Sequence, residues 1–269
     1  ELHSVDFGST ADKVFGSLER HPFVAGEFVW TGWDHIGEPT PYYEARSAYS
    51  GIIDLAGFRK DRFYLYQSQW RPDLPMVHIL PHWTWPERAG EITPVHVFTS
   101  GDEAELFLNG KSLGKKKKGQ YEYRLRWDDA IYERGELKAI AYRHGEKWAE
   151  TSVRTTGEAA KLSATADRAT ITADGKDLAF VTVQVCDSEG FAVPRAKNEI
   201  KFSTEGPGEI LATDNGDPTN MVSFDSTTRE AFNGLCLGIV RFIEGQSGPI
   251  IVTVTSPGLT GESVTIHRK

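Results

Sequence analysis

The first seventy residues switch between helical and extended patterns. Residues 9–20 place apolar side chains on one face at helical spacing, and Ser9 or Thr10 can cap them, so they predict a helix. Residues 25–30 form a short apolar run bounded by Gly and Pro, which predicts a strand buried on both faces. Residues 60–70 predict a second helix. Helix, strand, long loop and helix together are typical of the closing βα step of a (β/α)8 barrel whose other strands are absent.

From residue 75 onward the pattern becomes that of short β-strands. Alternating runs separated by Gly, Pro, Asn and Asp occur at 77–80, 95–98, 105–108, 121–125, 136–142, 161–165, 170–172, 178–185, 199–202, 208–211, 235–242 and 250–254. Asn109-Gly110 between two runs indicates a two-residue hairpin, because both turn positions need positive φ. A polar link at 155–158 separates two sets of runs, which predicts two immunoglobulin-like β-sandwiches.

The predicted chain is therefore mainly β and has three parts. Residues 1–72 are expected to be the C-terminal segment of a TIM (β/α)8 barrel. Residues 73–156 and 157–269 are expected to be the two sandwiches. The long loop at 31–59 has too little periodicity for a regular element, and its length indicates a functional loop.

Composition and charge narrow the classes of partner. The chain has 269 residues, enough for about two domains of ordinary size. Its net charge of −8 argues against nucleic acid as a partner and has no bearing on a neutral saccharide. No apolar run is long enough to span a membrane, so no membrane partner is expected. The chain starts with Glu1 rather than Met, and we expect a piece of a longer protein whose compartment the sequence does not assign.

The two cysteines are expected to be free thiols rather than a disulfide. The alternation at 181–185 puts valines on the core face and Cys186 on the opposite face. The same reasoning at 235–239 puts the leucines inward and Cys236 outward. A disulfide in the core would need both thiols on the inner face.

Candidate chemistry lies directly after the predicted strand at 25–30. Trp30, Trp33 and Asp34 occupy the position where α/β barrels keep their sites, just past the carboxyl end of a strand. Two indoles offer flat apolar faces to a sugar ring, and the carboxylate offers an acceptor to its hydroxyls. The alternatives are a core role for each Trp and a loop-bracing role for Asp34.

The same region resembles glycoside hydrolase family 2, and the β-galactosidase-like members are the most similar. The residues that carry the resemblance are Phe23–Asp34, Gly37–Tyr43, Gly51–Asp61, Tyr64–Trp70, His78–Trp83 and Leu106–Lys111, with a weaker continuation at 214–217 and 233–236. The resemblance implies that Trp30 is the tryptophan at the end of the eighth barrel strand, which walls the sugar subsite. The family varies at Trp33.

The resemblance also implies what this chain lacks. Family members cleave terminal β-glycosidic bonds with retention, using two glutamates on earlier barrel strands. Neither matching motif occurs here, so no catalytic residue is assigned to this chain, and no cofactor or metal is expected. The expected partners are a β-linked saccharide and the remainder of the barrel, with a homo-oligomer as an open option. The rival function is a non-catalytic carbohydrate-binding or adhesive module of immunoglobulin type.

Other polar and aromatic groups have a structural and a functional interpretation. Glu27 is expected to point toward the helix layer as a structural carboxylate, and Glu38 to fix its loop. Trp83 and Trp85 form either a packed strap or a saccharide site. Residues 214–217 form either a turn or, with their side-chain oxygens, a calcium loop.

Overall fold

The computed structural model describes residues 8–39 and 42–269, and the protein is mainly β with several sheets. Residues 1–7 of the predicted barrel segment and residues 40 and 41 of the predicted loop lie outside the described residues. The helices are α1 (Ala11–Arg20) and α2 (Asp61–Trp70). The strands are β1 (Val77–Leu80), β2 (Val95–Thr99), β3 (Glu103–Leu108), β4 (Lys111–Lys117), β5 (Leu125–Trp127), β6 (Glu136–Arg143), β7 (Glu146–Arg154), β8 (Lys161–Ala166), β9 (Thr170–Ile171), β10 (Leu178–Cys186), β11 (Glu199–Glu205), β12 (Gly208–Asp214), β13 (Thr228–Glu230), β14 (Leu235–Phe242), β15 (Ile250–Thr255) and β16 (Glu262–Arg268).

Both predicted helices are confirmed. Thr10 caps α1, because its hydroxyl accepts a hydrogen bond from the Lys13 N–H at 3.4 Å, and Asp12 lies in the first turn, where the helix dipole favours an acid. Helix α2 ends at Trp70, and Arg71 leaves the helical conformation just before Pro72, as expected for a residue that precedes proline.

The prediction of a buried strand at 25–30 is wrong for this chain. These residues form no strand, the Phe28 side chain is fully exposed, and Trp30 is 72% exposed. A parallel strand takes its hydrogen bonds from strands on either side, and the described residues supply none at this place. The alternation persists nonetheless, because Glu27 and Val29 are half-buried while Phe28 and Trp30 are exposed, and Val29 packs against the cluster that includes residues of α1 and α2.

Two sheets enclose the core of the first β part. One sheet has the order β1-β2-β5 and the other the order β4-β3-β6-β7. The inward side chains of both sheets form one cluster that includes Val97, Leu106 and the fully buried Trp83. The outer face of β1-β2-β5 carries Phe98, which packs in a separate cluster with residues of α1 and α2. The two helices are therefore a third layer on this sandwich.

The second β part encloses its own core between a four-stranded and a five-stranded sheet. Their orders are β12-β14-β10-β8 and β13-β11-β15-β16-β9. Both cysteines are free, as expected, but the predicted side of Cys236 is wrong. Cys236 lies in the core opposite Val183, together with Val240 and Phe242, so the even-numbered positions of β14 face inward. Because β14 is apolar on both faces, alternation alone could not choose between them.

Side chains also join the two β parts to each other. Arg195 pairs with Glu87 at 2.5 Å and lies over the Trp85 ring, and the Arg154 guanidinium lies over the Phe191 ring at 4.2 Å. Among the described residues, no helix has the length and apolar character needed to cross a membrane.

Candidate functional site

The indoles of Trp30 and Trp33 stand on the open surface of the chain. They are 72% and 56% exposed, and the edge of the His35 ring contacts Trp30 with 5.8 Å between ring centroids. The peptide bond between Trp30 and Thr31 is cis. Further large apolar side chains are exposed in the same stretch of chain, namely Phe23, Val24, Phe28, Ile36, Tyr42 and Tyr43. An apolar concentration of this kind marks a binding or docking surface.

Backbone hydrogen bonds hold the loop that begins directly after Trp30 and carries Trp33, residues 31–59, which we call the sugar-facing loop after the role that the sequence predicts for it. The Ile52 N–H donates to the Thr31 carbonyl at 3.1 Å, and the Asp34 N–H donates to the Ile53 carbonyl at 2.9 Å. At Gly51 the two arms of the loop lie so close that an added Cβ would overlap the backbone of Trp33 and Asp34. The backbone at Trp33 and Asp34 is therefore packed against the returning arm of the loop.

Asp34 points into this loop. Only 3% of the residue is exposed, Oδ1 accepts from the Gly51 N–H at 2.8 Å, and Oδ2 accepts from Lys60 Nζ at 2.6 Å. Both carboxylate oxygens are thus engaged within the chain. Of the two roles that the sequence left open, the structure places Asp34 in the position of a loop brace.

Asp54 is a second buried carboxylate of the sugar-facing loop. Burial raises the pKa of Asp54 to about 6, and the nearby Asp34 carboxylate adds to the increase, whereas Lys60 and the hydrogen bond from the Phe58 N–H oppose it. Asp54 lies against Gly216 of the second β part, where an added Cβ would be 2.9 Å from Oδ1 and closer still to Oδ2.

Arg46 is the residue that sequence reasoning missed. Its Nη2 forms an ion pair with Asp214 Oδ1 at 2.5 Å, and both side chains are nearly buried. Its backbone N–H donates to the Pro218 carbonyl at 2.8 Å, and its guanidinium lies over the Phe224 ring at 4.5 Å. Asp214 follows 168 positions later in the chain, so no local pattern could have indicated this pair.

Glu27 and Glu38, which the sequence analysis interpreted as structural carboxylates, differ in environment. Burial raises the pKa of the Glu27 carboxyl, and its Oε1 makes no hydrogen bond within the described part of the chain. Glu38 is exposed, has a positive φ of 48°, and its Oε2 lies 3.3 Å from His35 Nε2. The His35 contact fits the loop-fixing role expected for Glu38.

The remaining candidates are packed. The Trp83 Nε1–H donates to the Glu133 carbonyl at 2.9 Å, and Trp85 stacks on His82 with 4.2 Å between ring centroids. In the 214–217 turn, Asp214 Oδ1 accepts from the Asn215 N–H at 2.7 Å in addition to its pair with Arg46. Across residues 8–39 and 42–269, no three His, Cys, Asp or Glu side chains are grouped closely enough to hold a metal ion.

Family models match two regions of the chain. Residues 162–265, which span most of the second β part, match the model described as glycoside hydrolase family 2 C-terminal domain 5. Residues 90–149, within the first β part, match the model of a domain of unknown function, DUF4982.

Whole-chain relatives agree with these matches. The chain is 43% identical over 256 residues to the β-galactosidase BoGH2A of Bacteroides ovatus, which covers 95% of this chain and 30% of that protein. It is 32% identical to a putative β-glucuronidase of Formosa agariphila, over 94% of this chain and 25% of that protein. A crystal structure of a β-glycosidase from Bacteroides vulgatus superposes with a TM-score of 0.91 at 31% identity, covering 96% of this chain and 33% of that one. The chain thus spans about a third or less of the length of these relatives.

Proposed function

The chain belongs to glycoside hydrolase family 2, as a C-terminal portion of such an enzyme, and on that premise we propose that it supplies one wall of a sugar pocket. The full-length enzyme hydrolyses terminal β-glycosidic bonds with retention of configuration, through a covalent glycosyl-enzyme. The two reacting carboxyl groups come from parts of the enzyme outside these 269 residues. Trp30 and Trp33 provide the apolar wall, and Asp34 serves the pocket by bracing the loop that carries them.

The observation that carries this proposal is the exposure of residues 23–33. Phe28 and Trp30 face outward from an extended segment whose other side, at Val29, packs on the helix layer. A strand that has lost the neighbours of its sheet has this pattern. We therefore assign residues 1–72 to the end of a (β/α)8 barrel and expect the rest of the barrel to cover this face. Both β parts are assigned as immunoglobulin-like sandwiches.

A neutral β-glycoside such as a galactoside fits this wall better than a charged one. An indole face offers apolar contact to the C–H face of a pyranose and no charge. Arg46 of the sugar-facing loop pairs with Asp214, and Lys60, which follows the loop directly, pairs with Asp34. The Arg59 guanidinium lies over the Phe63 ring at 4.6 Å. A glucuronide carboxylate would need a cationic partner from elsewhere in the enzyme.

Substitution of Trp30 in the full-length enzyme tests the proposal. Trp30→Ala should lower kcat/KM on an aryl β-galactoside by about tenfold or more, equivalent to about 1.4 kcal/mol of transition-state binding. Trp70→Ala is the matched control, because Trp70 is 49% exposed on α2 and lies outside the sugar-facing loop. Wild-type kinetics in the Trp30→Ala variant would show that this indole does not line the pocket.

A carbohydrate-binding module that acts without catalysis is the second candidate. The exposed indoles of Trp30 and Trp33 favour it, since they could bind a saccharide without further residues. Titration of galactose, lactose and a β-glucan into the isolated chain, followed by Trp fluorescence, separates the two functions. Saturable binding to the chain alone supports the module, whereas binding that needs the full-length enzyme supports the pocket wall.

A further inference from the structure

The second β part contacts the sugar-facing loop through residues 214–224, which we call the sandwich loop. Arg46 is the centre of this contact, because it pairs with Asp214 at 2.5 Å and its guanidinium lies over the Phe224 ring. The side chains of Arg46 and Asp214 are only 12% and 9% exposed. An ion pair so shielded from water holds its geometry far more firmly than a surface pair.

The sandwich loop is itself fixed from within its own sandwich. Arg229 is 1% exposed and donates from Nη1 to Asn220 Oδ1 at 2.9 Å and to the Val222 carbonyl at 3.0 Å. Its Nη2 donates to the Ser223 carbonyl at 2.7 Å. Because these bonds anchor the loop to the β13 strand, Arg46 contacts a rigid surface rather than a free loop.

A short chain of hydrogen bonds leads from Arg46 to the indoles. The Gly37 N–H donates to the Arg46 carbonyl at 3.0 Å, and the Ala48 N–H donates to the His35 carbonyl at 2.9 Å. These bonds place His35 at a fixed position, and the His35 ring contacts Trp30 edge-on. Arg46 is thus connected to the proposed sugar-stacking face of Trp30 through backbone hydrogen bonds of the loop and the His35 ring.

We propose that Arg46 is a positioning residue through which the second β part, which we call the terminal sandwich, fixes the sugar-facing loop and thereby sets the affinity of the pocket for its glycoside. This inference rests on the proposed function of Trp30. It gives the terminal sandwich, which contributes none of the proposed stacking residues, a defined effect on substrate binding. Displacement of the stacking face would weaken its contact with the sugar in the ground state and the transition state alike, so the effect is expected mainly on KM.

The test compares Arg46→Met, Arg46→Lys and Asp214→Asn in the full-length enzyme. Arg46→Met should raise KM on an aryl β-galactoside about three- to tenfold with a smaller change in kcat. The reason is that the contact between Trp30 and the bound sugar is displaced, while the reacting carboxyl groups keep their positions. Arg46→Lys should raise KM less than Arg46→Met does, since lysine keeps the positive charge but lacks the planar guanidinium. The Arg46→Met/Asp214→Asn double variant should be no worse than the worse single variant, because both remove one interaction.

Hydrogen exchange supplies a readout that does not depend on activity. In Arg46→Met the amides of Gly37 and Ala48 should exchange faster, while those of β15 in the terminal sandwich stay as in the wild type. Arg241→Met is the control, because Arg241 pairs with Glu209 at 2.6 Å on the surface of the same sandwich and should leave KM and loop exchange unchanged. Wild-type KM together with wild-type exchange at Gly37 and Ala48 in Arg46→Met would overturn the inference.

Different results would refute the proposed function and the inference about Arg46. If the wild-type enzyme neither cleaves nor binds any β-glycoside, the proposed function falls, and exchange at Gly37 and Ala48 alone decides whether Arg46 fixes the loop. If the wild-type enzyme is active but Arg46→Met accelerates exchange throughout the terminal sandwich and leaves KM unchanged, Arg46 is a general stability residue and the inference is overturned.

Discussion

Replacement of Gly216 by alanine tests the contact between the terminal sandwich and the sugar-facing loop from the sandwich side. Gly216 has a φ of +76°, and an added methyl group would lie 2.9 Å from Asp54 Oδ1 and closer still to Oδ2. Gly258 is a matched control in the same sandwich. Its φ is +78°, and an added methyl group would meet nothing within 4 Å.

The structure gives separate magnitudes for the two variants. Alanine in the left-handed region costs about 1 kcal/mol relative to glycine, and both variants carry this cost. Only Gly216→Ala also drives a methyl group into a buried carboxylate, and overpacking of this kind costs about 1–3 kcal/mol more. We therefore expect Gly216→Ala to lower the free energy of unfolding by about 2–4 kcal/mol and Gly258→Ala by about 1 kcal/mol.

Urea unfolding of the wild-type protein and both variants, followed by Trp fluorescence, measures this difference. Because the two variants share the backbone cost, the gap between their midpoints isolates the contact with Asp54. Gly216→Ala should also raise amide exchange at Phe58, whose N–H donates to Asp54 Oδ1. Equal losses in the two variants would refute the close packing of the sandwich loop on Asp54.

Three further changes test the buried charges and thiols of the chain. Lys60→Met should lower the free energy of unfolding by about 3 kcal/mol in urea titrations, because it leaves the buried Asp34 carboxylate without its cation; a loss below about 0.5 kcal/mol would contradict the ion pair. Since the folded-state pKa of Asp54 is raised from 3.8 to about 6, the wild type should lose stability relative to Asp54→Asn as pH rises through this window, by at most about 3 kcal/mol. Thermal midpoints that run parallel from pH 4 to pH 7 would contradict that shift. Thiol titration should find both cysteines unreactive in the native protein and both reactive in denaturant, and reduction should leave the thermal midpoint unchanged.

Local patterns in the sequence were sufficient for most of the secondary structure. Helix α1 follows from its cap and apolar spacing, and the β2 and β6 strands follow from alternation, because each signal comes from residues that are neighbours in the chain. The strand expected at 25–30 would need neighbouring strands, and the described residues supply none. The pattern therefore identified which side chains share a face but not whether the segment forms a strand. The inward face of β14 was assigned wrongly because both faces are apolar.

The candidate site also contains some residues that the local sequence indicates and others that it does not. Trp30, Trp33 and Asp34 could be found because they follow one another in a short motif. Whether Asp34 faces a sugar or its own loop depends on Lys60, which lies 26 positions later. The Arg46–Asp214 pair joins two separately folded parts of the chain, so neither residue carries a signal in its own surroundings.

We propose that this chain forms a wall of the sugar pocket, while the reacting carboxyl groups come from the part of the enzyme outside this chain. The most direct measurement is to trap the covalent glycosyl-enzyme in the full-length protein with a 2-deoxy-2-fluoro-β-galactoside and to map the labelled peptide by mass spectrometry. We expect one label on a carboxylate outside these 269 residues, formed more slowly in Trp30→Ala than in the wild type. A label on a carboxylate of this chain, such as Glu27 or Glu38, would contradict it.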